Sequence, residues 1–145
     1  KIAKIASGGE LSRILLALKV VLSGSSNVST LIFDEIDSGV GGATASAVGE
    51  RLSLLSSSNG PQILVVTHSP QVAAVGHCHW RVSKESINNK AVTKVILLNQ
   101  KSRKEEIARM LAGTEISEEA RAAAERLLRD SSKQKISLSS NIIAD

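Results

Sequence analysis

The sequence predicts an α/β fold, a mainly parallel β-sheet flanked by helices and followed by a hairpin and two terminal helices. Three observations carry this. Two short apolar runs, Thr30-Leu31-Ile32-Phe33 and Ile63-Leu64-Val65-Val66, each stop abruptly at polar residues. Stretches of helical spacing precede the first run and separate the two. Continuous apolar runs suit strands buried on both faces, and strand–helix–strand order gives a crossover unit within a parallel sheet.

Taken in order, Leu11, Ile14, Leu15, Leu18 and Leu22 recur at spacings of three and four, which predicts an amphipathic helix ending near Ser23-Gly24. Ser25 to Ser29 reads as a polar loop, and the first strand ends at Asp34 and Glu35. A glycine-rich loop, Asp37 to Gly42, leads to a helix over 43–55. Ser56 to Pro61 is a turn, and the second strand stops at Thr67-His68. A short helix covers 70–75, and Trp80 to Ser83 with Val92 to Leu98 form a hairpin around Asn88-Asn89. Helices over 103–112 and 118–128 follow, parted by Gly113, with Ser117 as cap and Glu118 and Glu119 at the positive end of the second. We place the lobe at 1–130 and read the serine-rich 131–145 as a polar, disordered tail.

The 145 residues suffice for one domain with a modest core. Hydrophobic residues make up 42% and charged residues 22%, an ordinary globular balance. Phe33 and Trp80 are the only aromatics, so the core is aliphatic. The formal charge of +4 is compatible with nucleic acid without demanding it. A single cysteine, Cys78, excludes an internal disulfide framework and fits a reducing cytosol. No apolar run approaches the ~20 residues of a membrane span. The chain starts at Lys1 without an initiator Met, which reads as a fragment or a processed chain.

Three sites carry the chemistry. Ser7 and Glu10 are spaced as a capping box, and this explains both residues. It leaves Gly8 and Gly9 unexplained, because glycine in a first turn costs up to ~1 kcal/mol against Ala. Bare amides at a helix start suit an anion that approaches the backbone closely, phosphate above all. The second site is Asp34-Glu35. Ligands of open α/β sheets bind at the carboxyl ends of strands, where an Asp can hold hydrated Mg²⁺ and a Glu can polarise water. It can equally be a solvated strand end. The third is His68, which lies at the same edge if the two strands are neighbours.

In this order the motifs resemble the second half of an ATP-binding-cassette (ABC) ATPase head. Ser7-Gly8-Gly9-Glu10 resembles the signature motif, Leu31 to Glu35 the Walker B strand, Ile36-Asp37-Ser38-Gly39 the D-loop, and His68 the switch histidine. The wording of Ala6 to Arg13, Phe33 to Gly42 and Thr67 to Ala74 is similar to the RecN family of bacterial DNA-repair ATPases, within the structural-maintenance-of-chromosomes (SMC) class. The resemblance spans roughly Ile2 to Asp130. No Gly-x-x-x-x-Gly-Lys-Ser/Thr phosphate loop occurs, so what is matched is the C-terminal lobe of such a head. A lobe without its first half is expected to leave one face of its sheet exposed.

The resemblance implies ATP and Mg²⁺ as cofactors. Two heads sandwich two ATP molecules, each bound on one head and closed by the other's signature motif. Ser7, Gly8, Gly9 and Glu10 would then meet nucleotide on a partner head. Asp34 would hold the metal, Glu35 would activate water, His68 would sense the γ-phosphate, and Asp37 would lie in the loop crossing between heads. The implied partners are a second copy, the N-terminal lobe with its phosphate loop, and DNA undergoing double-strand-break repair, in the cytoplasm at the nucleoid and with no membrane. A non-catalytic dimerisation fragment, or another ABC or SMC head, remains the alternative. His77-Cys78-His79 make a poor tetrahedral metal set. Arg103, Lys104, Arg109, Arg121, Arg126 and Arg129 interleave with Glu and read as a solvated face, while Met110, Leu111, Leu127 and Leu128 read as core.

Overall fold

A computed structural model describes residues 28–34, 36–37, 41–56, 60–87 and 89–141, with 133–141 as backbone alone. The elements are β1 (Thr30–Asp34), α1 (Gly42–Leu55), β2 (Gln62–Val66), α2 (Pro70–Val75), β3 (Trp80–Ile87), β4 (Lys90–Leu97), α3 (Gln100–Ala112) and α4 (Glu118–Asn141). Among the described residues the strands form two sheets. β1 pairs with β2 in parallel, and β3 with β4 antiparallel. The expected amphipathic helix ending near Ser23-Gly24 lies outside the described residues.

One face of the parallel pair makes the first core. Phe33 packs with Ile36, Ala45, Val48, Leu52 and Val72, and Leu31, Ile63 and Val65 close its margin. The strands alternate, so Ile32, Leu64 and Val66 point the other way and are 65%, 45% and 58% exposed. The expectation of strands buried on both faces therefore fails on one side. Among the described residues, α1, α2 and Ile36 supply the side chains that cover the other face within the first core.

α1 and α2 meet closely because Gly49 has no side chain. A Cβ there would lie 3.0 Å from Val75 Cγ2 and 3.5 Å from the Gln71 carbonyl oxygen. A second core joins α2 to the terminal helices: Ala73 and Ala74 pack on Ile107, Ala108 and Ala124, with Met110, Leu127 and Leu128 half-buried around them. Leu111, expected in the core, is exposed.

Three elements run longer than the spacing predicts. Asn99 caps α3, its Oδ1 accepting from the Ser102 amide at 2.9 Å, so the helix begins before Arg103. The hairpin strands extend to Ile87 and Lys90 because Asn89 takes the left-handed conformation of a tight turn, φ 60°. α4 continues through Ser131 and Ser132, whose hydroxyls donate back to the Leu127 and Leu128 carbonyls at 2.8 and 2.9 Å, and it reaches Asn141. The segment read as a tail thus begins as helix. Gly113, at φ 81°, ends α3, and Ser117 caps α4 as expected, accepting from the Ala120 amide at 3.3 Å.

Candidate functional site

The register of the parallel pair sets the site. Asp34 stands opposite Val66, so the chain leaving β1 and the turn Thr67-His68 leaving β2 start side by side. Asp34 is exposed at that edge, and so is His68. The condition on which His68 joined Asp34 is met: the two strands are neighbours. Ser7, Gly8, Gly9, Glu10 and Glu35 lie outside the described residues.

Asp37 ties the two strand exits together. Ile36 beside it is buried in the first core and anchors the turn. The Asp37 carboxylate is turned inward. Its Oδ2 accepts from the Thr67 hydroxyl, from the His68 amide at 3.2 Å and from the Ser69 amide at 2.9 Å. Successive N–H groups converging on one oxygen make a small anion nest. Asp37 Oδ1 is buried and has no hydrogen-bond partner among the described residues. Ser69 is fixed from both sides, because its amide also reaches Thr67 Oγ1 at 2.9 Å and its hydroxyl caps α2 at the Val72 amide at 3.4 Å. Pro70 at the first helical position suits that start.

The far end of α2 is clamped as well. Arg103 Nη2 donates to the carbonyls of Ala73, Ala74 and Gly76 at 3.1, 2.9 and 2.7 Å. These are carbonyls that a helix end leaves unpaired. Arg103 was read as part of a solvated face and instead is half-buried. The remaining basic residues fit that reading, with Lys104 on Glu125, Arg121 on Glu105 and Glu118, and Arg126 near Asp130.

Glu106 is the buried exception on α3. Burial opposes its ionisation, but the hydrogen-bonded Arg109 and then Arg81 outweigh this and hold its carboxyl below the usual range. Arg81 reaches it from β3 at 3.8 Å, which attaches the hairpin to α3. His79 is pushed down by burial first and by Arg103 second, so its neutral form is favoured. A guanidinium beside His79 opposes a cation at His77-Cys78-His79.

Among the described residues, no three His, Cys, Asp or Glu side chains converge to hold a metal. That does not oppose Mg²⁺ bound with nucleotide. Mg²⁺ keeps several waters and takes one or two carboxylates plus phosphate oxygens, and the exposed Asp34 can supply such a ligand.

Known proteins of similar sequence are DNA repair proteins named RecN. The chain is 53% identical over 127 residues to the DNA repair protein RecN of Xylella fastidiosa strain Temecula1, covering 88% of this chain and 22% of that protein. Over this stretch the chain resembles RecN. RecN of Haemophilus influenzae matches at 51% over 88% of the chain, and RecN of Bacillus subtilis at 40% over 92%. The chain spans 22–23% of the length of these RecN relatives. A solved chain from a structural study of ATP-driven dimerization and DNA-stimulated activation of SMC ATPases superposes with a TM-score of 0.58. At 21% identity, covering 77% of this chain and 66% of that one, its likeness to the RecN-like chain is one of fold. No protein-family model matches.

Two features escaped the sequence. The inward turn of Asp37 has no spacing signal, since its partners lie some thirty residues away. The Arg103 clamp is hidden for the same reason. The short helix over 70–75 was legible, and the structure adds the Ser69 cap that fixes where the His68 turn ends.

Proposed function

We propose that this chain supplies the signature, Walker B, D-loop and switch-histidine segments of a RecN-like ATPase head that acts in DNA double-strand-break repair and recombination. The observation that carries this is the meeting of Asp34 and the Thr67-His68 turn at one strand edge, in a chain whose likeness to RecN relatives runs over 88% of its length.

Bound Mg²⁺ would neutralise charge on the phosphates of ATP. Asp34 would hold that ion through water. Glu35 would orient the attacking water and take its proton. His68, its imidazole open to solvent, would donate to the γ-phosphate and steady the charge that develops there. Ser7, Gly8 and Gly9 would close over nucleotide on a partner head, with Glu10 completing the cap. Asp37 would serve through its loop, its carboxylate being engaged within the chain. A second copy, a lobe carrying a phosphate loop, and DNA are the partners of this reading, and the bacterial cytoplasm at the nucleoid is its place. Among the described residues no helix is long and apolar enough to cross a membrane.

The test uses two proteins: the 145-residue chain, and a chimera in which it replaces the matching stretch of full-length Haemophilus influenzae RecN. The chain itself, having no phosphate loop, is expected to release phosphate at the background rate. The chimera is expected to hydrolyse ATP and to lose ~10²-fold or more with His68→Ala, the cost of removing a positioned donor. Turnover by the 145-residue chain that disappears with Glu35→Gln, or an unaffected His68→Ala chimera, would overturn the assignment.

A further inference from the structure

We infer that Asp37 is a positioning residue for His68 and acts within its own chain, as the joint between the two loops of the site. The inference rests on the reading of His68 as the group that meets the γ-phosphate.

The geometry is one carboxylate oxygen against three consecutive residues. Oδ2 takes the Thr67 hydroxyl, the His68 amide and the Ser69 amide. That leaves the turn no freedom to rotate either peptide without breaking a bond from inside the protein. The side chains at the two ends of the joint differ sharply: Asp37 is 0% exposed and the His68 imidazole 77% exposed. His68 Nδ1 stands 3.7 Å from the same oxygen, so the carboxylate faces that side of the ring and leaves Nε2 as the nitrogen free to turn outward. A carboxylate that orients one imidazole nitrogen so that the other can work is a recurring arrangement.

A purely structural role explains less. Fastening the strand exits would need one bond, whereas all the donors gathered here belong to the residues around His68. Asp37 is also carried by the segment that leaves β1 after Asp34. A shift of that segment therefore moves the acceptor on which the His68 turn hangs. The loop after β1 and the histidine after β2 are coupled through a single side chain, with no contribution from a second head.

The experiment joins two readouts. In the 145-residue chain, amide hydrogen exchange is followed for His68 and Ser69 with and without Asp37→Asn. Exchange is expected to quicken about 10-fold or more at these two amides, the scale of one hydrogen bond to a charged group, while β2 amides keep their protection. In the chimera, single-turnover phosphate release is measured for Asp37→Asn, His68→Ala and the double variant. Asp37→Asn is expected to slow release about 10-fold in the parent and to have no further effect once His68 is gone, because coupled residues are non-additive. Equal slowing in both backgrounds, or unchanged exchange at His68 and Ser69, overturns the positioning role and leaves the ATPase reading standing. A His68→Ala chimera with full activity sinks the ATPase role of His68, and the exchange arm then still reports on the joint. Should Asp37→Asn not fold, Thr67→Val removes one donor and leaves the carboxylate, with the same non-additivity required.

Discussion

Glu35→Gln in the chimera is expected to cut phosphate release by ~10²-fold or more while ATP stays bound, the range for losing a positioned general base. The amide is nearly isosteric with the carboxylate, so the packing of Leu31 and Phe33 should survive. What disappears is the charge that polarises water and the oxygen that takes its proton. Asp34→Asn should fail differently. It touches the ligand for hydrated Mg²⁺, so nucleotide binding itself should weaken and show a changed Mg²⁺ dependence. Phosphate release and ATP retention, measured side by side, separate the two variants. Near-normal turnover of Glu35→Gln would demote that residue to a strand end and move the base elsewhere.

Phe33→Ala is expected to cost ~3–5 kcal/mol, the usual range for an aromatic removed from a packed core. Phe33 is 1% exposed and is the sole Phe of the chain, and no other large aromatic takes part in its cluster. Against a total stability of ~5–15 kcal/mol this is a large share, and a melting curve should shift down by ~10 °C or more. Ile32→Ala, one residue earlier on the opposite face, should cost less than ~1 kcal/mol because Ile32 is already 65% exposed. Thermal unfolding of the two variants checks the pair. An equal loss for both would mean that the outer face of β1 is covered in solution.

The elements were legible where one residue type decides them. Two apolar runs gave β1 and β2, helical spacing gave α1, the short helix α2 was read over 70–75, and Ser117 fixed the start of α4. Ends were misjudged where a polar side chain bonds locally. Asn99 lengthened α3 at its start, and Ser131 and Ser132 carried α4 onward. Burial was overread on Ile32, Leu64 and Val66, because a continuous apolar run does not say whether a second layer is present. The strand-edge meeting of Asp34 and His68 was legible once the two strands were taken as neighbours. The bonds of Asp37 and Arg103 were not, since they join residues far apart in sequence through atoms that periodicity does not register.

The central claim is that this stretch closes a nucleotide site between two heads, and sedimentation of the chimera with and without ATP tests it most directly. With Glu35→Gln to hold ATP in place, the chimera is expected to pair on adding ATP and Mg²⁺ and to stay unpaired without them. Adding Ser7→Arg, which puts bulk and charge above Gly8 and Gly9, should abolish pairing while leaving ATP binding to a single head intact. Normal ATP-dependent pairing of the Ser7→Arg protein would contradict the account.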